Sequence, residues 1–149
     1  MNQHLLNWGK EFTIEFDLVI KSLNTHFTGE WQNIFHLTIG PNYGTFGTRI
    51  PALFLNKNGY LRFRSQLGDQ SNYWFTFYIE LNKNYSVKIA QQQIEGKHIF
   101  SITINGHVVN SVQNLKPMSF QKVLVYLSDP FFETFGPSGT LSNLKIQGS

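Results

Sequence analysis

The chain has 149 residues, no cysteine and only 14% charged residues. This length can bury the core of one domain without a disulfide bridge or a metal, and the lack of cysteine excludes a disulfide framework and a thiolate zinc site. A net charge of +3 without a dense basic cluster argues against a nucleic-acid partner. No apolar run approaches the ~20 residues of a membrane span, so membrane insertion is not expected.

Apolar and polar residues alternate with a period of two along the whole chain, as in half-buried strands. The predicted strands cover residues 12–20, 31–39, 50–55, 60–65, 72–81, 85–93, 99–104, 107–112, 121–127 and 141–147. Asn58-Gly59 and Asn105-Gly106 mark tight hairpins, because these residue types tolerate positive φ. The pattern predicts one all-β domain over residues 1–149, a two-sheet antiparallel β-sandwich of the jelly-roll type with more than about 40% strand.

The same alternation predicts which side chains form the core. In the strand at 72–81 the more apolar set is Tyr73, Phe75, Phe77 and Ile79, so these should face inward. Trp74, Thr76 and Tyr78 should then face outward. The residues expected to be mostly buried are Phe12, Ile14, Phe16, Phe35, Leu37, Phe54, Phe75, Phe77, Val87, Ile89, Ile102, Val125, Leu144 and Ile146. Residues 21–30, 40–49 and 129–139 are expected to be long loops.

Several segments resemble concanavalin A-like, laminin-G-like domains. Residues 12–17 resemble the opening strand of that family, residues 31–37 its second strand, and residues 100–106 its "ITING" hairpin. Residues 123–130 and 139–146 resemble its closing strands. The resemblance covers most of the chain. It implies a jelly roll and extracellular recognition of glycans or protein partners, although the family also contains glycosidases.

Aromatic rings beside amide, histidine and arginine side chains form the candidate ligand site. A sugar offers apolar C–H faces and rings of hydroxyls, so its site combines an aromatic platform with donors that bind in pairs. Polar but uncharged residues dominate the expected surface, which favours a neutral glycan. The candidate ligand-binding residues are His36, Arg62, Arg64, Asn72, Trp74 and Tyr78. They share one polar face if their strands are neighbours. The alternative is that Trp74 and Tyr78 belong to the core and that Arg62 and Arg64 simply face solvent.

Glu15 and Asp17 are the candidate catalytic carboxylates, since retaining glycosidases of this fold use an acidic triplet at such spacing. The third acid of that triplet would fall at Val19. The alternative is a solvated outer face of an amphipathic strand, and no catalytic residue is predicted.

Calcium needs oxygen ligands, and Asp69, Asn105 and Asp129 are the residues that could supply them. The sequence has no Asp-x-Asp loop, and isolated aspartates in turns usually cap the backbone. We therefore expect no cofactor.

The sequence predicts a non-enzymatic, lectin-like carbohydrate-binding module whose partner is a glycan or glycoprotein, with a homo-oligomer as a route to avidity. The alternatives are an extracellular adhesion or structural module that binds a protein, and a glycosidase-like enzyme. Residues 1–4 do not read as a signal peptide. An extracellular protein would thus have lost its leader, or this chain would be one domain of a longer one.

Overall fold

The computed structural model describes residues 5–23, 30–40, 46–127 and 138–148. Strands make up 74% of them, which confirms the all-β prediction. The strands are β1 (Leu5–Trp8), β2 (Phe12–Ser22), β3 (Trp31–Thr38), β4 (Ala52–Asn56), β5 (Tyr60–Leu67), β6 (Gln70–Tyr78), β7 (Asn84–Ile94), β8 (Lys97–Ile104), β9 (His107–Asn114), β10 (Phe120–Leu127) and β11 (Ser138–Gly148).

These strands form two antiparallel sheets that pack face to face as a jelly-roll sandwich. The six-stranded sheet has the order β1-β10-β3-β4-β5-β6, and the five-stranded sheet has the order β11-β2-β7-β8-β9. The strands β3 to β6 are neighbours in the first sheet in the same order as in the sequence, and so are β7 to β9 in the second. By contrast, β1 and β11 pair with strands that are far away in the sequence. The part of the chain that the structure describes contains no membrane-spanning helix.

The predicted hairpins are present, but the two turns differ. Asn105 and Gly106 both have positive φ, at 52° and 81°, as expected for a two-residue turn. At the other hairpin only Gly59 has positive φ, at 89°. There the Asn56 side chain accepts hydrogen bonds from the N–H groups of Asn58 and Tyr60, at 3.0 and 2.9 Å, and residues 57–59 form the loop between the strands.

The core lies between the sheets and contains most of the residues predicted for it. Phe75, Phe77, Leu144 and Ile146 are only partly buried, because they lie on β6 and β11, which have a neighbouring strand on one side alone. Phe54 is buried on the side away from the core, opposite Arg62 in register.

The predicted loops are described only in part. The structure extends β2 through Ser22, beyond the predicted strand end at residue 20. The remainder of that loop, residues 24–29, lies outside the described residues, as do residues 41–45 and 128–137.

Candidate functional site

The strands β3 to β6 are neighbours in the six-stranded sheet, and their sides that point away from the core form what we call the outer face. Directly opposed residues of antiparallel strands project to the same side. The register pairs Arg64 with Trp74 and Arg62 with Thr76, so both arginines and both predicted aromatic residues share this face. Trp74 and Tyr78 are 53% and 57% exposed. The alternative that placed them in the core is therefore wrong.

Arg62 lies between two tryptophan rings. Its Cζ atom is 4.1 Å from the ring centroid of Trp31, on the β3 side, and 4.3 Å from that of Trp74, on the β6 side. We call these three residues the arginine–tryptophan stack. Contacts of this kind contribute about 0.5–2 kcal/mol each, more when water is excluded. The Nε atom of Arg62 is buried and has no acceptor among the described residues, so ring stacking holds this side chain.

Trp31 was not predicted for the site, because a β-bulge changes the alternation of β3. Counting back from core-facing Phe35 by twos would put Trp31 in the core as well. The register shifts between Asn33 and Phe35, so Gln32 turns inward instead and Trp31 turns outward. The Asn33 side chain donates to the Phe35 carbonyl at 3.0 Å and thereby stabilises the bulge.

Tyr60 and Tyr78 extend the aromatic surface of the outer face. They oppose each other across β5 and β6, with ring centroids 5.2 Å apart and the rings edge to face. Both are exposed. Because Tyr78 and Trp74 are four residues apart on one strand, the exposed rings extend along β6 for about 13 Å.

His36 and Asn72 support the site in a different way from the one predicted. His36 is 0% exposed, so it does not reach a ligand on the surface. Its Nε2–H donates to the carbonyl oxygen of Thr48, since a carbonyl can only accept. The next residue, Arg49, donates from Nη1 to Oδ1 of Asn72 at 2.8 Å. The two predicted ligand residues thus hold the 46–50 segment in place.

Three positive charges converge on the outer face. The guanidinium groups of Arg49 and Arg64 lie over the Phe54 ring, at 5.3 and 5.8 Å from its centroid. Partial burial, and then the charges of Arg49 and Arg62, lower the pKa of Arg64 to about 10, against a weaker opposite effect of Glu30. Burial also lowers the pKa of Arg62. With a pKa of about 10, Arg64 is still protonated at neutral pH. Sequence reasoning missed Arg49, because it lies in a predicted loop.

The outer face of the five-stranded sheet carries the two carboxylates that were weighed for catalysis, in a depression of about 300 Å³. Ser86 Oγ donates to Asp17 Oδ1 at 2.9 Å, and Asn143 Nδ2 donates to Oδ2 at 2.8 Å. These hydrogen bonds lower the pKa of Asp17, and the one from Asn143 has the larger effect. Glu15 lies opposite a lysine on each neighbouring strand. Asp17 therefore links β2 to β7 and β11, while Glu15 faces opposite charges across both neighbouring strands.

No group of three histidine, aspartate or glutamate side chains is placed to hold a metal ion within the described ranges. Among the calcium candidates, Asn105 uses its Oδ1 to accept the Ser86 N–H at 2.9 Å. Asp69 lies at the exposed turn between β5 and β6, and Asp129 is outside the described residues.

No family model and no curated protein sequence matches this chain. Solved structures match at low identity. The binding domain of botulinum neurotoxin serotype G has a TM-score of 0.63 and 13% identity, over 97% of this chain and 34% of that one. A heptameric SAP-like pentraxin from Limulus polyphemus has a TM-score of 0.57 and 18% identity, over 96% and 66%. Sheep galectin-11, in complex with glycerol, has a TM-score of 0.51 and 11% identity, over 98% and 96%.

These matches show the fold alone, and it is consistent with the concanavalin A-like β-sandwich that the resemblance of the strands predicted; the laminin-G-like part of that resemblance stays a prediction. This chain spans less than two thirds of the neurotoxin and pentraxin chains. Sialidase and alginate lyase chains share the fold too, so it does not by itself separate binding domains from enzymes.

Proposed function

We propose that this domain is a non-enzymatic, lectin-like carbohydrate-binding module and that the outer face of the six-stranded sheet binds the glycan. The arginine–tryptophan stack carries this proposal. It leaves Trp74 half exposed on a rigid strand, with its ring backed by Arg62. The apolar C–H face of a sugar can stack on a flat ring held in this way, and the arginine N–H groups around it can donate hydrogen bonds to the sugar hydroxyl oxygens.

The aromatic surface has room for more than one sugar unit, and we propose that neutral units stack on Trp74 and on the Tyr60–Tyr78 pair. The face is open to water, so each contact stays partly solvated. Affinity for a single short glycan is expected to be about 0.1–1 mM, or about −4 to −5.5 kcal/mol. Several copies, as a homo-oligomer or as tandem domains of an extracellular protein, would raise the avidity.

The proposal of a binding module rather than a glycosidase rests on the other sheet. Val19 occupies the position at which a third acid would stand, and Asp17 is engaged by Ser86 and Asn143. Substitution of Glu15 by glutamine should leave glycan binding unchanged, and neither protein should release reducing sugar from polysaccharides. Since we propose no cofactor, a calcium chelator should not weaken binding.

The test is a glycan array probed with the purified domain in clustered form. We expect binding by the intact domain and none by Trp74→Ala, because removal of a stacking platform removes the largest contact area. The matched control is Ile94→Ala: Ile94 is also 53% exposed, but it lies on the five-stranded sheet. Both variants should keep the melting temperature close to that of the unmodified domain.

Two results would overturn this proposal. Absence of binding by the clustered intact domain across a broad array would favour the alternative of an adhesion module that binds a protein. Equal loss of binding in Trp74→Ala and Ile94→Ala would show that the outer face of the six-stranded sheet has no special part in it.

A further inference from the structure

The arginines of this chain are concentrated on one face. The sequence has only three of them among its twelve basic residues. Arg62 and Arg64 are on the outer face by register, and Arg49 joins them through its contacts with Phe54 and Asn72. Arginine differs from lysine in that its planar fork of donors matches a planar carboxylate. Its confinement to the candidate binding face therefore points to an anionic group in the ligand.

Within the described part of the chain, no ion pair to a carboxylate balances the charges of Arg62 and Arg64. Glu30 is the acidic residue whose field acts on both Arg62 and Arg64, yet among the described residues no ion pair joins it to either of them. Arg49 and Arg62 instead repel the partly buried Arg64. Like charges held together without a counter-ion lower stability, and such arrangements are characteristic of binding sites. A bound anion would relieve this repulsion.

The stack also restricts how a ligand can approach Arg62. Indole rings from the β3 and β6 sides lie against its guanidinium group, so its remaining donors are open only at the edge of the group. These N–H donors lie in the plane of the guanidinium, and two oxygens in one plane match them best. Trp74 lies directly opposite Arg64, so a sugar ring stacked on Trp74 brings its substituents beside that arginine.

Building on the glycan-binding function proposed above, we propose that Arg62 and Arg64 form a subsite for the carboxylate of an acidic sugar unit, such as a uronic or sialic acid, within a glycan whose neutral units lie on the aromatic surface. The low proportion of charged residues elsewhere agrees with a ligand that is otherwise neutral.

The test uses glycans that differ only in the charged group. An array presents uronic acid and sialic acid glycans beside their methyl esters, together with sulfated glycans, and the best acid–ester pair is then titrated by calorimetry. We expect the acid to bind about tenfold more tightly than its ester, which corresponds to about 1.4 kcal/mol. This preference should weaken as salt is added, because screening reduces charge attraction.

Substitutions of Arg64 test whether the preference for the acid over its methyl ester comes from the proposed subsite. Arg64→Gln should bind acid and ester equally, at the affinity of the ester for the unmodified domain, and Arg64→Lys should keep only part of the preference. The matched control, Lys88→Gln, removes the same charge from the outer face of the five-stranded sheet and should keep the full preference. Dichroism spectra should show that all variants remain folded.

The outcomes separate this proposal from the function on which it rests. Equal binding of acid and ester by the unmodified domain, or a preference that survives in Arg64→Gln, would overturn the carboxylate subsite and leave glycan binding intact. Selective binding of sulfated glycans over carboxylated ones would overturn it as well. Absence of any glycan binding would overturn the proposed function itself.

Discussion

The outer faces of the two sheets both consist of the outward-pointing residues of alternating strands, but their polar side chains have different partners. On the five-stranded sheet, Asp17 accepts two hydrogen bonds and Glu15 has lysines on both neighbouring strands. On the six-stranded sheet, by contrast, the arginines lie against aromatic rings, and neither Arg62 nor Arg64 has an ion-pair partner among the described residues.

This difference indicates which face holds the sandwich together and which is available to a ligand. Polar groups that are paired within the protein contribute to stability and gain little from a further partner. Polar groups without partners cost stability, and a ligand that satisfies them recovers that free energy on binding. The predictions below test this assignment.

The largest expected effect concerns the core below the outer face of the six-stranded sheet. Phe63 lies between the two arginines in sequence but points inward and is 1% exposed. Substitution by alanine should lower the free energy of unfolding by about 3–5 kcal/mol. Phe75→Ala, on the edge strand, should cost less, because Phe75 is only partly buried. Chemical denaturation measures both, and a smaller loss for Phe63 than for Phe75 would contradict the assigned facing of β5.

A smaller effect is expected from removing the charge of Arg64 while keeping its bulk. In the folded state the pKa of Arg64 falls to about 10, well below its ordinary value, so folding disfavours the charged form. This penalty is fully present at every pH below about 10 and fades as the pH rises from there toward the ordinary pKa of arginine. Arg64→Met should therefore raise the free energy of unfolding at pH 7, by at most about 1 kcal/mol because the side chain is partly exposed to solvent.

The control for this prediction is Lys88→Met on the outer face of the five-stranded sheet, where the lysine lies opposite Glu15. There the free energy of unfolding should fall slightly or stay the same, since a lysine opposite a carboxylate on the neighbouring strand is lost. If Arg64→Met were the more destabilising of the two variants, the repulsion inferred on the outer face of the six-stranded sheet would be wrong.

The smallest expected effect is on the pH dependence of stability, and it comes from Asp17 on the outer face of the five-stranded sheet. The folded-state pKa of Asp17 lies below its ordinary value of 3.8, so its contribution to stability is present above pH 3.8 and is lost as the pH falls through the lower folded-state value. In Asp17→Asn the side chain does not titrate, so this part of the loss of stability at low pH should be absent. Melting temperatures of both proteins between pH 2 and 6 measure it. Parallel curves would show that the contacts with Ser86 and Asn143 are not maintained in solution.

The strand β6 shows how far alternation alone can go. Its two possible faces differ clearly in apolar content, so the sequence predicts correctly that Trp74 and Tyr78 face outward. The strand β3 shows where alternation fails. A bulge depends on how two strands register against each other, and such long-range pairing leaves no periodic signal in the sequence. Trp31 could therefore not be assigned to the site from the sequence.

His36 shows a different limit of sequence reasoning. Its residue type and its position on the side away from the core predicted a ligand contact. Instead the segment at 46–50 covers it, and its ring donates a hydrogen bond to the carbonyl of Thr48. Burial on the outer side of a sheet depends on which loop covers that sheet. Local pattern carries no information about such coverage.

The sequence by itself determined the all-β class, the hairpins at Asn58-Gly59 and Asn105-Gly106, and the facing of most strands, because these features follow from residue preferences over a few positions. The tertiary structure alone decided that β3 to β6 lie side by side. This order brings Trp31 and Trp74, 43 positions apart in the sequence, onto the same guanidinium group. The physical reason is that strand order and register are set by the packing of the whole sandwich, while alternation only says which side of a strand is apolar.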